Sequence, residues 1–131
     1  MQPVDEPRPV LCVEDNDANF SLISRVLETT GRWHVARATN VEQARAALVE
    51  VEPVVLVLDI DLPGVSGLEL AREIKATPHW RQIPIVVVSA SVMRQEQVRA
   101  REAGCEYFLE KPFDIDILRS TVATAFETRG H

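Results

Sequence analysis

The sequence predicts an α/β fold, a doubly wound, five-stranded parallel sheet flanked by five helices. Three observations lead to it. Short apolar, β-branched runs alternate five times with helical patterns. Four of those runs are apolar throughout, the pattern of strands buried on both faces of a parallel sheet. The 131 residues match a single domain, long enough to bury about two thirds of the unfolded surface without a disulfide or structural metal.

The elements follow in order. Pro3, Pro7 and Pro9 make residues 1–8 a short mobile tail, ahead of a domain expected over residues 9–128 and a C-terminal tail over 129–131. Residues 10–13 are the first strand. Residues 17–30 place Phe20, Ile23, Val26 and Leu27 on one helical face and stop at Gly31, with Asp17 a candidate N-cap. Residues 35–38 alternate with arginine, which predicts an edge strand. Asn40 and Gln43 form a capping-box pattern opening a helix to about Val51, ended by Pro53. Residues 54–58 are the third strand. Residues 67–76 carry Leu70, Ala71 and Ile74, with Pro78 just beyond. Residues 85–88 are the fourth strand, followed by a helix over 95–103 that ends at Gly104. Residues 107–109 are the fifth, followed by a helix over 114–127 that carries Ile117, Leu118, Val122 and Phe126.

Composition narrows the function. Fourteen basic against twenty acidic residues give a net charge of −6, which argues against loose binding to nucleic acid or an anionic membrane. No apolar run approaches the ~18 residues of a membrane span, and the N-terminus lacks the charge and apolar core of a signal peptide. A cytoplasmic protein is expected. Cys12 and Cys105 have no CxxC partner and read as small buried thiols of a reducing compartment.

In such a sheet, sites form at the carboxyl ends of the strands. There the chain has Glu14 and Asp15, then Asp59, then Ser89, and finally Lys111; only the edge strand offers nothing obvious. Taken singly, each has a plain structural reading as a cap, a turn residue or a solvated charge. Together they place three mutually repelling carboxylates on one rim, at about 1 kcal/mol per pair in water and more when desolvated. A cation is implied, and all-oxygen ligands without His or Cys suit Mg²⁺. Without Glu14, Asp15, Asp17, Asp59 and Asp61 the chain has fifteen acids against fourteen bases, so the excess charge is concentrated in two loops. A carboxylate nucleophile, a metal, a hydroxyl and a lysine can together take up a phosphoryl group.

On these residues the chain resembles the receiver domain of two-component response regulators. The matching stretches are Val10-Leu11-Cys12-Val13-Glu14-Asp15-Asn16, Val57-Leu58-Asp59-Ile60-Asp61-Leu62-Pro63-Gly64-Val65-Ser66-Gly67, Val87-Val88-Ser89-Ala90 and Glu110-Lys111-Pro112-Phe113. The Glu-Asp-Asn-x-x-Asn start at Glu14 to Asn19, and the lack of an output domain, are most similar to stand-alone regulators of the cell-cycle kind. The resemblance implies a flavodoxin-like sheet with strand order 2-1-3-4-5. It implies Asp59 as phosphoacceptor and Mg²⁺ held by Glu14, Asp15, Asp59 and the backbone carbonyl of Asp61. It further implies Ser89 and Lys111 on phosphoryl oxygens, Ala90 as the small neighbour of the phosphate, and a cis bond before Pro112. Asp61 and Ser91 are candidates for setting the phosphate's lifetime. Implied partners are a histidine kinase or histidine phosphotransfer protein and a downstream protein target, with a phosphorylation-dependent homodimer as a further expectation and no direct contact with nucleic acid. One position departs from the family: Phe108 stands where a tyrosine or other aromatic often rotates as the switch partner of Ser89, and the tyrosine is next door at Tyr107.

Two other functions share some of these residues. Asp59-Ile60-Asp61 matches the Asp-x-Asp start of haloacid-dehalogenase-type phosphatases, but the acidic pair precedes Asp59 and 131 residues leave no room for a cap. A receiver-like interaction module that works without phosphorylation would not need the complete set of Glu14, Asp15, Asp59, Ser89 and Lys111.

Overall fold

A computed structural model describes residues 6–62, 67–91 and 93–129. Expectations that fall on residues 1–5, 63–66 and 130–131, including the middle of the Leu-Pro-Gly-Val-Ser-Gly stretch, lie outside the described residues.

The elements are β1 (Arg8–Val13), α1 (Asp17–Glu28), β2 (Trp33–Ala38), α2 (Val41–Val51) and β3 (Val55–Asp59), followed by α3 (Gly67–Ala76), β4 (Ile85–Ser89), α4 (Arg94–Glu102), β5 (Tyr107–Glu110) and α5 (Ile115–Thr128). All pairings are parallel and the order is β2-β1-β3-β4-β5, with β2 at the edge. Val10 pairs with Val35 on one side and Val55 on the other, which brings the carboxyl ends of β1 and β3 level. The chain winds outward in opposite directions from these two strands, and that opens a crevice beyond their ends.

Strand alternation sorts the core into two layers. Leu11, Val13, Leu56, Leu58, Ile85 and Val87 face α2, α3 and α4. Val10, Cys12, Val55, Val57, Val86 and Val88 face α1 and α5, where Ile23, Leu27, Leu118 and Val122 meet them. Burying each such side chain favours folding by about 1.5–3 kcal/mol. β3 and β4 are buried along their whole length, so a charge placed at Val57 would have no solvent to reach.

Several boundaries shift by a residue or two from the sequence reading, and three of the differences have an evident physical cause. β1 begins at Arg8, inside the expected tail, because Arg8 donates its amide to the Arg32 carbonyl at 2.9 Å and its guanidinium stacks 4.9 Å over the Phe126 ring. Pro9 is tolerated near the strand's start, where it gives up one donor. β2 begins at Trp33, whose ring meets Phe126 edge-on at 5.4 Å. The N-cap of α1 is Asn16, not Asp17: the Asn16 side chain accepts from the Asn19 amide at 2.9 Å, while Asp17 occupies the first turn. At α2 the expected cap is present, with Asn40 accepting from Gln43 N at 2.8 Å and the Gln43 side chain accepting in turn from Thr39 N.

Candidate functional site

Four strand ends converge on the crevice. β1 delivers Glu14, which is 1% exposed, β3 delivers Asp59 at 3%, and β4 delivers Ser89 at 0%. Lys111 follows β5 and reaches back over the sheet, with its Nζ 3.1 Å from Asp59 Oδ2, 3.7 Å from Glu14 Oε1 and 3.7 Å from Asp61 Oδ2. The Lys111–Pro112 peptide is cis. Asp15 is exposed at the mouth, yet it can offer a carboxylate oxygen to a group with Glu14 and Asp59 in which all three oxygens lie within 4.8 Å.

The loop backbones are fixed by these same side chains. The Asn16 amide donates to Glu14 Oε2 at 3.2 Å and the Asp61 amide to Asp59 Oδ1 at 2.8 Å. α3 starts close against the acceptor loop: a Cβ on Gly67 would lie 3.3 Å from the Asp59 carbonyl oxygen and 3.3 Å from Ile60 Cγ2. A side chain at Gly67 would therefore press on the residue that carries the site.

Burial, and then the neighbouring carboxylate of Asp59, push the Glu14 carboxyl up to about 7. For Lys111, burial opposes the charge, but Asp59 first and then Glu14 and Asp61 outweigh it and hold its pKa above the ordinary value. Burial also raises the Cys12 thiol far beyond reactivity at neutral pH, and the Cys105 thiol to about 12. Both cysteines are buried and free.

One lysine does not neutralise the pocket. Glu14 Oε1 is buried without a hydrogen-bond partner, which is costly unless a cation shares its lone pairs. Three hard oxygen donors, one of them open to water, fit a divalent ion such as Mg²⁺.

The edge strand does contribute, through a residue that sequence reasoning missed. Arg37, next to last in β2, donates from Nε to the Glu14 carbonyl at 3.1 Å and places Nη2 2.7 Å from Asp17 Oδ1. Its guanidinium also lies 4.9 Å over the Phe20 ring. It ties both ends of the acidic loop to the sheet. The one available signal was an arginine alternating with apolar residues in a strand that ends beside Glu14 and Asp15.

The predicted switch and lifetime residues occupy the same rim. Ser91 donates its amide to Ser89 Oγ at 3.0 Å. Phe108 is half-buried against the α2–α3–α4 core layer, whereas Tyr107 faces the other layer with its hydroxyl 3.0 Å from Thr128 Oγ1. Beside the site, Asn19, Leu22, Ala90, Lys111, Pro112 and Phe113 line an open, mainly apolar cleft of about 290 Å³.

Comparison with known proteins agrees with this geometry. The model of the response regulator receiver domain matches residues 10–123. The polar-differentiation response regulator DivK of Brucella anthropi is 34% identical over 116 residues, covering 88% of this chain and 94% of that one. Among solved structures, the Mn²⁺-bound form of response regulator Rcp1 has 27% identity and a TM-score of 0.80, covering 93% of this chain and 96% of the other. The phosphorylated cyanobacterial phytochrome response regulator RcpA has 27% identity and a TM-score of 0.77, with 92% of each chain covered.

Proposed function

The chain belongs to the response regulator receiver domain family, and from that premise we propose that it is a stand-alone phosphorylation switch with Asp59 as its phosphoacceptor. The observation that carries this reading is the meeting of Glu14, Asp15 and Asp59 within 4.8 Å, with the Lys111 ammonium 3.1 Å from Asp59. A pocket this acidic stores no structural benefit by itself; it suits a dianion that arrives together with a cation.

The residues divide the work. An oxygen of Asp59 attacks the phosphorus of a phosphohistidine on a kinase or phosphotransfer protein; the O–P bond forms as the N–P bond breaks, and the imidazole leaves. Glu14, Asp15, Asp59 and the Asp61 carbonyl would hold Mg²⁺, which offsets the charge between carboxylate and phosphoryl group. Lys111 stabilises the same charge from the β5 side, and Ser89 supplies a hydroxyl to a phosphoryl oxygen. The domain catalyses only its own phosphotransfer and hydrolysis. The donor docks on the exposed face of α1 and the adjoining cleft, and the protein target or a second copy on α4, β5 and α5. Asp61 and Ser91 line the route of hydrolytic water and set the phosphate's lifetime.

Labelling with acetyl phosphate in Mg²⁺ tests the reading. Asp59→Asn is expected to abolish an adduct that hydroxylamine releases from the wild type, while Asp61→Asn retains it. Label that persists on Asp59→Asn would assign the acceptor elsewhere, and multiple turnover of small phosphoesters would favour a phosphatase. Substitutions at Asn19 and Ser21 should alter transfer from a kinase and spare labelling by acetyl phosphate.

A further inference from the structure

The side chain of Asp61 crosses from the β3 loop to the end of β4. Its Oδ1 accepts from the Ser89 hydroxyl at 2.9 Å, and its Oδ2 accepts from the Ala90 amide at 2.7 Å. The Lys111 ammonium stands 3.7 Å from the same Oδ2. Asp61 is a loop residue with its side chain 35% exposed, so burial does not force its carboxylate to find protein donors. Each oxygen nevertheless has a protein donor, and one also has the cation. A hydroxyl and a backbone amide directed at one small anion beside Asp59, with an ammonium close by, form the donor set that a phosphoryl group on Asp59 would require. The Asp61 carboxylate now takes both hydrogen bonds and shares the ammonium with Asp59, to which Lys111 is closer at 3.1 Å.

We infer that the Asp61 carboxylate is an internal stand-in for the phosphoryl group, holding the phosphoryl-oxygen positions of the unmodified protein until the incoming group displaces it. The inference rests on Asp59 being the acceptor. It has two consequences. Asp61 competes with any anion entering the site, so it weakens binding there and slows phosphorylation. It also holds Ser89 and the Ala90 amide toward the acceptor before phosphorylation, so those groups exchange one anion for another instead of moving to meet it.

The test uses the full chain with Mg²⁺ and beryllofluoride, an inert mimic of the phosphoryl group, followed by amide NMR and calorimetry. Asp61→Ala is expected to bind beryllofluoride about tenfold tighter or more, the equivalent of one charge-assisted hydrogen bond no longer contested. Asp61→Asn, which keeps the volume but only one acceptor atom, is expected to fall between them. The gain should survive in 1 M salt, where the Debye length is about 3 Å and repulsion at a distance is screened. In the resting wild type the Ala90 amide proton should resonate downfield and shift little on binding; in Asp61→Ala it should start upfield and shift strongly. Equal affinities for the three chains, a gain erased by salt, or an Ala90 resonance indifferent to Asp61→Ala would each overturn the inference while leaving Asp59 as acceptor. Failure of both wild type and Asp61→Ala to bind beryllofluoride would remove the acceptor reading, and this inference with it.

Discussion

Glu14 keeps a carboxylate where water barely reaches, and its titration makes the fold sensitive to pH. Its pKa rises from an ordinary 4.5 to about 7 in the folded chain. Between those values the folded state holds a proton that the unfolded state has released, so stability declines as pH rises through this window. The metal-free protein should therefore melt several degrees lower at about pH 8 than at about pH 5, a difference that Glu14→Gln should flatten. Mg²⁺ should raise the melting temperature chiefly at the higher pH, where the site is ionised; an equal increment at both would separate Glu14 from the cation. Arg37 allows a second test, because it holds the Glu14 carbonyl and Asp17 together. Arg37→Ala should cost about 1 kcal/mol of stability and weaken Mg²⁺ binding several-fold, with Arg37→Lys restoring only part of the affinity, since a single ammonium lacks the planar fork by which two separate guanidinium nitrogens reach the two partners. Calorimetric Mg²⁺ titration of the three chains decides it. These residues differ in how legible they were. Glu14, Asp15, Asp59, Ser89 and Lys111 could be read from the sequence because a parallel sheet forces its strand ends onto one rim. Arg37 acts by reaching across from a neighbouring strand, and Asp61 by folding its side chain back over a loop; neither direction is encoded in spacing.

The helices are held unequally. α3 buries Gly67, Leu68, Leu70, Ala71 and Ile74, whereas α4 buries only Ala100 among its nine residues and has no side-chain bond at its Met93 cap. Helix-scale stability follows apolar burial more than propensity. Amide exchange over residues 94–102 should accordingly be faster than over residues 67–76 by an order of magnitude or more, and protection similar to that of α3 would show that α4 is anchored by something other than its buried face. The same contrast explains what periodicity could reveal about the fold. Elements with a full apolar face, such as α1 and α5, could be placed from the sequence to within a residue or two. β1 and β2 start earlier than their apolar runs because Arg8 and Trp33 are recruited through Phe126 of α5, a contact distant in sequence. The α1 cap was ambiguous for a local reason: Asn16 and Asp17 are adjacent and both can cap, and only the direction in which the loop leaves Glu14 selects the first.

At the scale of the whole molecule, the site lies at one end of the sheet and the surface expected to bind targets lies along one edge, so a signal must travel between them through β4, α4 and β5. α4 is the weakly held member of that path, and Val98 on it and Met93 at its start leave apolar surface exposed. In receivers with tyrosine at the position of Phe108, a hydroxyl gives the ring a reason to point outward at rest. Phe108 has none, and its ring already packs against the core layer beneath α4. Tyr107 cannot take over the role, because it faces the opposite layer with its hydroxyl against Thr128. Moving a phenyl ring from water to the interior is favourable by about 1.5–3 kcal/mol whether or not Asp59 is phosphorylated, so that term biases both states alike and contributes little to the switch. The conformational change should then be carried by α4, with Ser89, Ala90 and the aromatic ring nearly stationary. Incorporating 4-fluorophenylalanine at the chain's four phenylalanines gives a direct reading. On adding Mg²⁺ and beryllofluoride, the Phe113 resonance, beside Lys111 in the cleft, should move and the Phe108 resonance should stay nearly fixed, while amide exchange changes across residues 94–102. A Phe108 resonance that passes from a solvent-exposed to a buried environment would show instead that the ring swings on activation and that burial at rest does not hold it.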